Sequence, residues 1–222
     1  MPLSFDLSSE QKDVREAVRA FAEKKIKPVA HKLDRSETFS PELTKGMGEL
    51  GLFGMTISQD YGGQGLDCVS YIIAVEELAR IDGSQAATLA AHNSLGVGPI
   101  YSFGSEEQKK RYLPRLCTGD HVWAFGLTEP EAGSDAGGTK TKAEKRNGTW
   151  VLNGSKVFIT NASCSASLGA TVQAVTGVKP DGRKEYSCFL LEKGTRGYET
   201  KTMHDKLLWR SSDTSELYFT NV

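Results

Sequence analysis

Residues 123–141 of the chain read WAFGLTEPEAGSDAGGTKT. The first part is a short apolar run that is typical of a buried strand. Proline and glycine then predict a tightly turned loop, which carries hydroxyls at Thr128 and Ser134. Residues 139–145 alternate small side chains with lysines and are predicted to form a second strand. Such a loop can be an ordinary strand connection, or it can present backbone N–H groups and hydroxyls to a ligand from a rigid base.

The two sides of this stretch have different periodicities. Before it, Ser8 stands three residues ahead of a glutamine, which is a capping-box signal, and apolar residues follow at helical spacing. After it, apolar residues occur in short alternating runs separated by turn signals such as Asn147-Gly148. The sequence therefore predicts an α+β fold, with an α-helical bundle domain at residues 1–120 followed by an antiparallel β-barrel domain at residues 121–222.

Individual signals predict finer features of both halves. Pro28 is predicted to end the first helix, because proline lacks the N–H that a helix interior needs. Ser84 is predicted to cap a later helix. In the second half, Asn153-Gly154 is predicted to form a turn that separates two strands.

Composition narrows the classes of protein. The formal net charge of −1 over 222 residues argues against a nucleic-acid surface, and no apolar stretch is long enough to span a bilayer. The four cysteines and four histidines lack the spacing of a metal site or a disulfide framework. The acidic N-terminus resembles neither a secretory signal nor a presequence. We expect a cytoplasmic protein, or a mitochondrial matrix protein if a presequence has been removed, that binds no nucleic acid, membrane or metal.

Residues 126–135, GLTEPEAGSD, resemble the signature of the acyl-CoA dehydrogenase family. In that family the segment follows an N-terminal helical domain and opens a β-barrel domain, which is also its place here. Two further stretches, KVFITN at residues 156–161 and KLLWRSSDT at residues 206–214, are similar to family motifs. Many members have tryptophan at the position of Phe158, and glycine often stands at that of Leu208. The resemblance covers essentially the whole chain.

The resemblance implies an FAD cofactor held between the first two motifs. The Thr128 hydroxyl would lie near the N5 edge of the flavin, with Phe158 on the other side of the ring. Ser134 would lie near the pyrophosphate and would also contact the acyl-CoA substrate at its entrance. The cofactor-binding residues that the resemblance implies are Phe125, Leu127, Thr128, Gly133, Ser134, Phe158, Ile159 and Thr160. From the residues alone, an aromatic at strand spacing such as Phe158 can equally belong to a core.

The implied activity is FAD-dependent α,β-dehydrogenation of an acyl-CoA thioester, with hydride transfer to flavin N5. This reaction needs a carboxylate base at the substrate α-carbon, which in the family comes from a third, C-terminal helical domain. Glu129, Glu131 and Asp135 do not match that base, so no catalytic residue is assigned and the chain alone is expected to be inactive. The implied partners are an acyl-CoA substrate, an electron-transfer flavoprotein as electron acceptor, and further copies of the protein in a homo-oligomer.

Two other functions fit the same residues. The chain could be a natural two-domain module that binds flavin or acyl-CoA without dehydrogenation. It could also be a flavin monooxygenase built on the same fold. In the third motif, Arg210 is expected to form a structural ion pair.

Overall fold

Two compact units make up the chain in the computed structural model, which describes residues 6–222. One unit contains the described residues up to Asp120 together with Leu207–Ser212. The other contains His121–Lys206 and Asp213–Val222. The hexapeptide Leu207–Ser212 therefore belongs to a unit that is otherwise built from the first part of the chain.

The first unit is helical, as the periodicity predicts. Its α-helices are α1 (Ser9–Phe21), α2 (Lys27–Ser36), α3 (Pro41–Glu49), α4 (Cys68–Ala79), α5 (Gly83–Ala90), α6 (Gly98–Phe103) and α7 (Glu106–Leu116). Two π-helical segments, Ala22–Ile26 and Ala91–Val97, directly follow α1 and α5. Among residues 6–222, no helix combines the length and the apolar character that crossing a membrane requires.

Capping side chains fix where these helices begin. The Ser8 hydroxyl accepts a hydrogen bond from Gln11 N at 3.1 Å, and the Gln11 side chain accepts one from Ser8 N at 3.1 Å, so the predicted capping box is confirmed. The predicted cap at Ser84 is wrong. Asp82 caps α5 instead, because its Oδ1 accepts from Ser84 N at 2.8 Å and aspartate is among the strongest N-caps.

Pro28 does not end the first helical stretch, contrary to the prediction. The chain passes through the π-helical segment Ala22–Ile26 and continues as α2, with Pro28 in the first turn of that helix. Proline is tolerated there because the first N–H groups of a helix have no intrahelical acceptor. The π-helical segment thus joins α1 to α2, although Pro28 would interrupt a single regular helix at this point.

The second unit is a sheet of seven strands. They are β1 (Val122–Gly126), β2 (Lys142–Arg146), β3 (Thr149–Thr160), β4 (Ser167–Val178), β5 (Lys184–Glu192), β6 (Tyr198–Thr202) and β7 (Thr214–Phe219). The order in the sheet is β1-β4-β2-β3-β7-β6, and β5 pairs with β4. The predicted α+β class, with helices first and a sheet second, is confirmed.

The sheet departs from a regular antiparallel barrel in two respects. β1 and β4 pair in parallel, with Trp123 opposite Gly169 and Phe125 opposite Thr171. The strand pairings among the described residues also leave the sheet open rather than closing it on itself. A parallel pair needs a long crossover between its strands, and the β2–β3 hairpin lies within that crossover.

The predicted turn at Asn153-Gly154 is wrong, because both residues lie inside the long strand β3. At this point β3 changes partner: Asn153 pairs with Lys142 of β2, whereas Gly154 pairs with Phe219 of β7. A Cβ at Gly154 would lie 2.5 Å from Thr141 Oγ1. Glycine is required here because another segment passes directly over the strand.

The buried histidine of the helical unit predicts a pH dependence of stability. His92 is fully buried, its Nε2 lies 3.0 Å from Leu116 O, and burial lowers its pKa from 6.5 to about 4. As the pH falls, the unfolded chain binds the proton first, so stability is complete above pH 6.5 and declines towards pH 4. Each pKa unit corresponds to 1.36 kcal/mol, so we expect a loss of about 3 kcal/mol across this window.

Urea unfolding at several pH values measures this loss. The variant His92→Gln removes the titrating group and should flatten the profile between pH 6.5 and pH 4. His31→Gln, at an exposed histidine of α2, is the matched control and should leave the profile of the parent protein intact. A His92→Gln profile as steep as that of the parent would contradict the assignment.

Candidate functional site

A closed turn shapes the loop that follows β1. Glu129 N donates to Ala132 O at 3.0 Å, and Ala132 N donates to Glu129 O at 3.1 Å. Pro130 and Glu131 occupy the two central positions of this turn and are exposed. Proline suits the first central position because its fixed φ is already that of the turn. The turn gives the start of the loop a defined shape.

The side chain of Glu129 points inward and forms a buried ion pair. Its carboxylate is 3% exposed and lies 2.8 Å from Lys156 Nζ, and the Lys156 side chain is 0% exposed. Glu129 also accepts hydrogen bonds from Lys140 N at 2.6 Å and Thr141 N at 3.0 Å. Lys156 Nζ donates to Leu127 O at 3.0 Å. The ion pair therefore ties together the start of the loop, its end, and strand β3.

The pKa values of both groups are lowered, for different reasons. Burial alone would raise the pKa of Glu129, but the hydrogen bonds from Lys156, Thr141 and Lys140 outweigh it and leave that pKa lowered. Burial lowers the pKa of Lys156, and the Glu129 carboxylate offsets part of this effect. A carboxylate that accepts several N–H bonds favours its ionised form. Its acceptor capacity is used within the protein, so Glu129 is unsuited to accept a proton from a substrate.

The end of the loop is also held in place. The predicted strand at residues 139–145 begins only at Lys142, because the N–H groups of Lys140 and Thr141 bind the Glu129 carboxylate rather than a neighbouring strand. Tyr186 Oη donates to Gly137 O at 2.7 Å, and Lys184 Nζ donates to Thr139 O at 2.8 Å. The loop is therefore anchored at both ends.

A backbone hydrogen bond joins the two predicted motifs. Val157 N donates to Thr128 O at 2.9 Å. The next residue, Phe158, has a φ of +61° and lies where the register of β3 with β7 shifts. Its ring is 63% exposed. A bulky residue with positive φ is strained, and such strain concentrates at functional sites. The aromatic residue that could have belonged to a core lies instead on the surface.

The predicted site residues differ in burial. Phe125, Leu127, Thr128 and Thr160 are half-buried, and Gly133, Ser134 and Phe158 are exposed. Ile159 is 3% exposed and packs in the hydrophobic core of the sheet. Only the backbone of Ile159 is therefore available to a ligand, whereas the other seven positions can present side chains or open backbone.

Three hydroxyls of this region differ from their neighbours. Within residues 6–222, the side chains of Thr128, Ser134 and Thr160 make no hydrogen bond. By contrast, the hydroxyls of Thr139 and Thr141 donate to backbone carbonyls at 3.0 and 3.2 Å. Thr128 and Ser134 stand in the first motif, and Thr160 stands two residues after Phe158 in the second motif. They can serve a ligand that has polar edges and a flat apolar face.

The sequence did not reveal the ion pair that organises the site. Glu129 and Lys156 both stand in the recognised motifs, but nothing in their spacing shows that they meet. The one available signal was the lysine that begins the apolar run of β3, because a buried lysine needs a partner. The expectation for Arg210 is confirmed: it forms an ion pair with Glu37 in the helical unit and also donates to Asp34 O at 3.2 Å.

No group of three or more histidine, cysteine, aspartate or glutamate side chains among residues 6–222 could hold a metal ion.

Comparison with known proteins identifies the family. A model of the acyl-CoA dehydrogenase N-terminal domain matches residues 8–120, and a model of the middle domain matches residues 124–222. An acyl-CoA dehydrogenase of Bacillus subtilis is 45% identical over 217 residues, which are 97% of this chain and 56% of that protein. The chain belongs to the acyl-CoA dehydrogenase family and spans little more than half the length of the curated relatives it matches.

Solved structures agree with this result. Butyryl-CoA dehydrogenase of Megasphaera elsdenii superposes with a TM-score of 0.92 and 41% identity, covering 99% of this chain and 58% of that one. A glutaryl-CoA dehydrogenase of Mycobacterium smegmatis in complex with FADH2 superposes with a TM-score of 0.90 and 38% identity, covering 97% of this chain and 54% of that one. The fold of the chain is thus shared with a butyryl-CoA dehydrogenase and a glutaryl-CoA dehydrogenase.

Proposed function

We propose that the complete protein is an FAD-dependent acyl-CoA dehydrogenase, which introduces a double bond next to the thioester of an acyl-CoA. The observation that carries the proposal is the junction of the two motifs, where Val157 N donates to Thr128 O at 2.9 Å. This bond joins the segment that carries the free Thr128 hydroxyl to the segment that carries the exposed Phe158 ring. Family membership and the FADH2 complex of the Mycobacterium smegmatis relative support the same cofactor.

The residues of the second unit suit FAD. Leu127 and Phe158 offer apolar contact to a flat ring, and the hydroxyls of Thr128 and Thr160 offer hydrogen bonds to its polar edge. Gly133 has open space where a Cβ would stand, so its backbone can approach a phosphate closely, with the Ser134 hydroxyl beside it. We therefore assign the ring to the junction and the pyrophosphate to the Gly133–Ser134 segment, where Ser134 also meets the acyl-CoA.

The chain's own residues would position this cofactor rather than move a proton. When bound, FAD supplies the electron-accepting chemistry of the reaction. Thr128 and Thr160 would orient the ring by hydrogen bonds, and Phe158 would exclude water from one of its faces. The proton of the substrate α-carbon needs a base, and Glu129 is committed to its ion pair. We place that base outside these 222 residues.

Further features of the protein follow from family membership as predictions. We assign the helical domain to residues 1–120 and the sheet domain to residues 121–222. An electron-transfer flavoprotein would accept the electrons, and the complete protein would form a homo-oligomer. A cytoplasmic location, or a mitochondrial matrix location after presequence removal, also stays a prediction.

A direct assay tests the proposal and separates the alternatives. The complete protein is purified with FAD and mixed with a series of acyl-CoA thioesters, and the reduction of an artificial electron acceptor is followed. Acceptor reduction together with an α,β-unsaturated product is expected. Oxygen consumption with a hydroxylated product would identify a monooxygenase, and flavin binding without turnover would identify a non-catalytic module.

Replacing Thr128 with valine should slow flavin reduction while the fold is retained. Valine nearly keeps the shape of threonine but lacks the hydroxyl. A hydrogen bond contributes about 0.5–1.5 kcal/mol net, so the rate should fall about two- to tenfold. Stopped-flow absorbance of the flavin measures the rate. Thr128→Ser should restore it, and Thr149→Val, at an exposed position of β3, should not affect it. An unchanged rate and flavin spectrum in Thr128→Val would remove Thr128 from the site.

A further inference from the structure

We propose that the Glu129–Lys156 ion pair is the positioning device of the cofactor site, which sets the separation between the Thr128 and Phe158 segments. The inference rests on the proposed function, because the segments matter together only if one ligand contacts both. The ion pair itself is buried, with side-chain exposures of 3% and 0%. It therefore acts on a bound ligand through the backbone that it holds.

Lys156 and the residue after it both bind the backbone of the first motif. Lys156 Nζ donates to Leu127 O at 3.0 Å, which fixes the residue before Thr128. Lys156 is also followed by Val157, whose N–H donates to Thr128 O at 2.9 Å. The Lys156 side chain and the Val157 backbone thus anchor β3 to two consecutive carbonyls of the first motif. Phe158 follows directly, so its ring position depends on this anchor.

A charged pair is needed because of what the carboxylate must satisfy. Glu129 accepts from the ammonium of Lys156 and from two backbone N–H groups, those of Lys140 and Thr141. An ionised carboxylate is the side chain that accepts several bonds at once and donates none. Its burial then requires an opposite charge. The carboxylate thereby replaces the strand that would otherwise pair with residues 140 and 141.

The far end of the loop has its own anchors, at Tyr186 and Lys184. Loss of the ion pair should therefore free Glu129 from Lys140 and Thr141, while the bonds from Tyr186 and Lys184 keep the loop attached to β5. The free hydroxyls of Thr128 and Ser134 would remain present. Their segment would no longer be held at a fixed distance from the Phe158 segment. The expected consequence is weaker binding and an altered flavin environment, in a protein that still folds.

The test compares variants of the complete protein loaded with FAD. The double variant Glu129→Gln/Lys156→Met removes both charges together, so no unpaired charge stays buried. The groups that orient the ligands of a bound metal are an analogous case, and they contribute about 10–100-fold to the affinity for the metal. By this analogy we expect the Kd for FAD to rise at least about tenfold. The flavin absorption bands should shift, and the amides of Lys140 and Thr141 should exchange faster with deuterium.

Two further variants complete the design. Glu129→Asp keeps the charge but shortens the side chain by one methylene, so it should give a smaller rise in Kd and a smaller spectral shift. It also supplies the measurement if the double variant does not fold. Glu131→Gln is the matched control, because it changes the same charge in the same turn at a side chain that is 61% exposed. Its Kd and spectrum should equal those of the parent protein.

The outcomes separate this inference from the proposed function. A parent protein that binds no FAD would overturn both. A parent protein that binds FAD, with a double variant or Glu129→Asp that binds it with the same Kd and spectrum, would overturn the inference alone, even if amide exchange is faster. Weaker binding and shifted bands in the ion-pair variants, with an unchanged Glu131→Gln control, would support it.

Discussion

Acyl-CoA turnover by the 222 residues alone is expected to be about 10²–10⁴-fold slower than turnover by the complete protein, which is the typical contribution of a positioned general base. The site region holds three carboxylates that could be considered for this role. Glu129 is buried and bound to Lys156, Lys140 and Thr141. Glu131 and Asp135 are exposed, and neither matches the base of the family. The remaining site residues are hydroxyls, aromatics and glycines, which are not bases near neutral pH.

The measurement follows reduction of an artificial acceptor by both proteins at saturating FAD. Flavin fluorescence establishes first that the shorter chain has bound the cofactor, so that a low rate reports chemistry rather than cofactor loss. Comparable turnover by the two proteins would place the base within these residues. Glu131→Gln and Asp135→Asn would then show which carboxylate supplies it.

Truncating Trp123 to alanine should lower the free energy of unfolding of the second unit by about 3–5 kcal/mol, the usual cost of removing a large buried aromatic. Trp123 is 0% exposed, and its Nε1 donates to Thr171 Oγ1 at 2.9 Å. A Cβ at Gly169 would lie 2.8 Å from the Trp123 ring, so the opposite strand is shaped to receive this side chain. The truncation would leave a cavity and an unpaired Thr171 hydroxyl in the parallel β1–β4 pair.

Urea unfolding followed by circular dichroism measures this effect. Trp150→Ala is the matched control, because the Trp150 side chain is 39% exposed and its removal should cost much less. Trp123 and Phe125 lie on the same face of β1 because side chains alternate along a strand. FAD affinity should therefore fall in Trp123→Ala as well. Equal stability losses in the two variants would show that Trp123 is not a central support of the sheet.

Sequence reasoning predicted the features that depend on neighbours in the chain. The capping box at Ser8 and the hairpin at Asn147-Gly148 need only local contacts, and both are present. It failed where a distant segment decides the outcome. Asn153-Gly154 has turn chemistry, yet it lies inside β3 because Thr141 passes over Gly154. Pro28 was misread because a π-helical segment ahead of it absorbs the irregularity.

For the candidate site as well, the sequence predicted the residues of local motifs but not the contacts between distant segments. The resemblance of two short motifs supplied its residues, and Phe158 does lie on the surface. The sequence could not show that Ile159 turns into the core, because the register of β3 shifts at that point. Nor could it show that Glu129 meets Lys156, since the two are 27 residues apart. Such contacts arise only when three segments are brought together by the sheet.

The hexapeptide Leu207–Ser212 has a consequence for the order in which the protein matures. The helical unit includes this segment, whose Arg210 pairs with Glu37 across 173 residues of sequence. A Cβ at Gly83 would lie 2.8 Å from Trp209 Nε1, so the tryptophan also seats closely on the helices. During synthesis on the ribosome, the helices emerge long before these partners exist. The unit whose synthesis begins first is therefore completed only after strands β1 to β6 of the sheet have been translated.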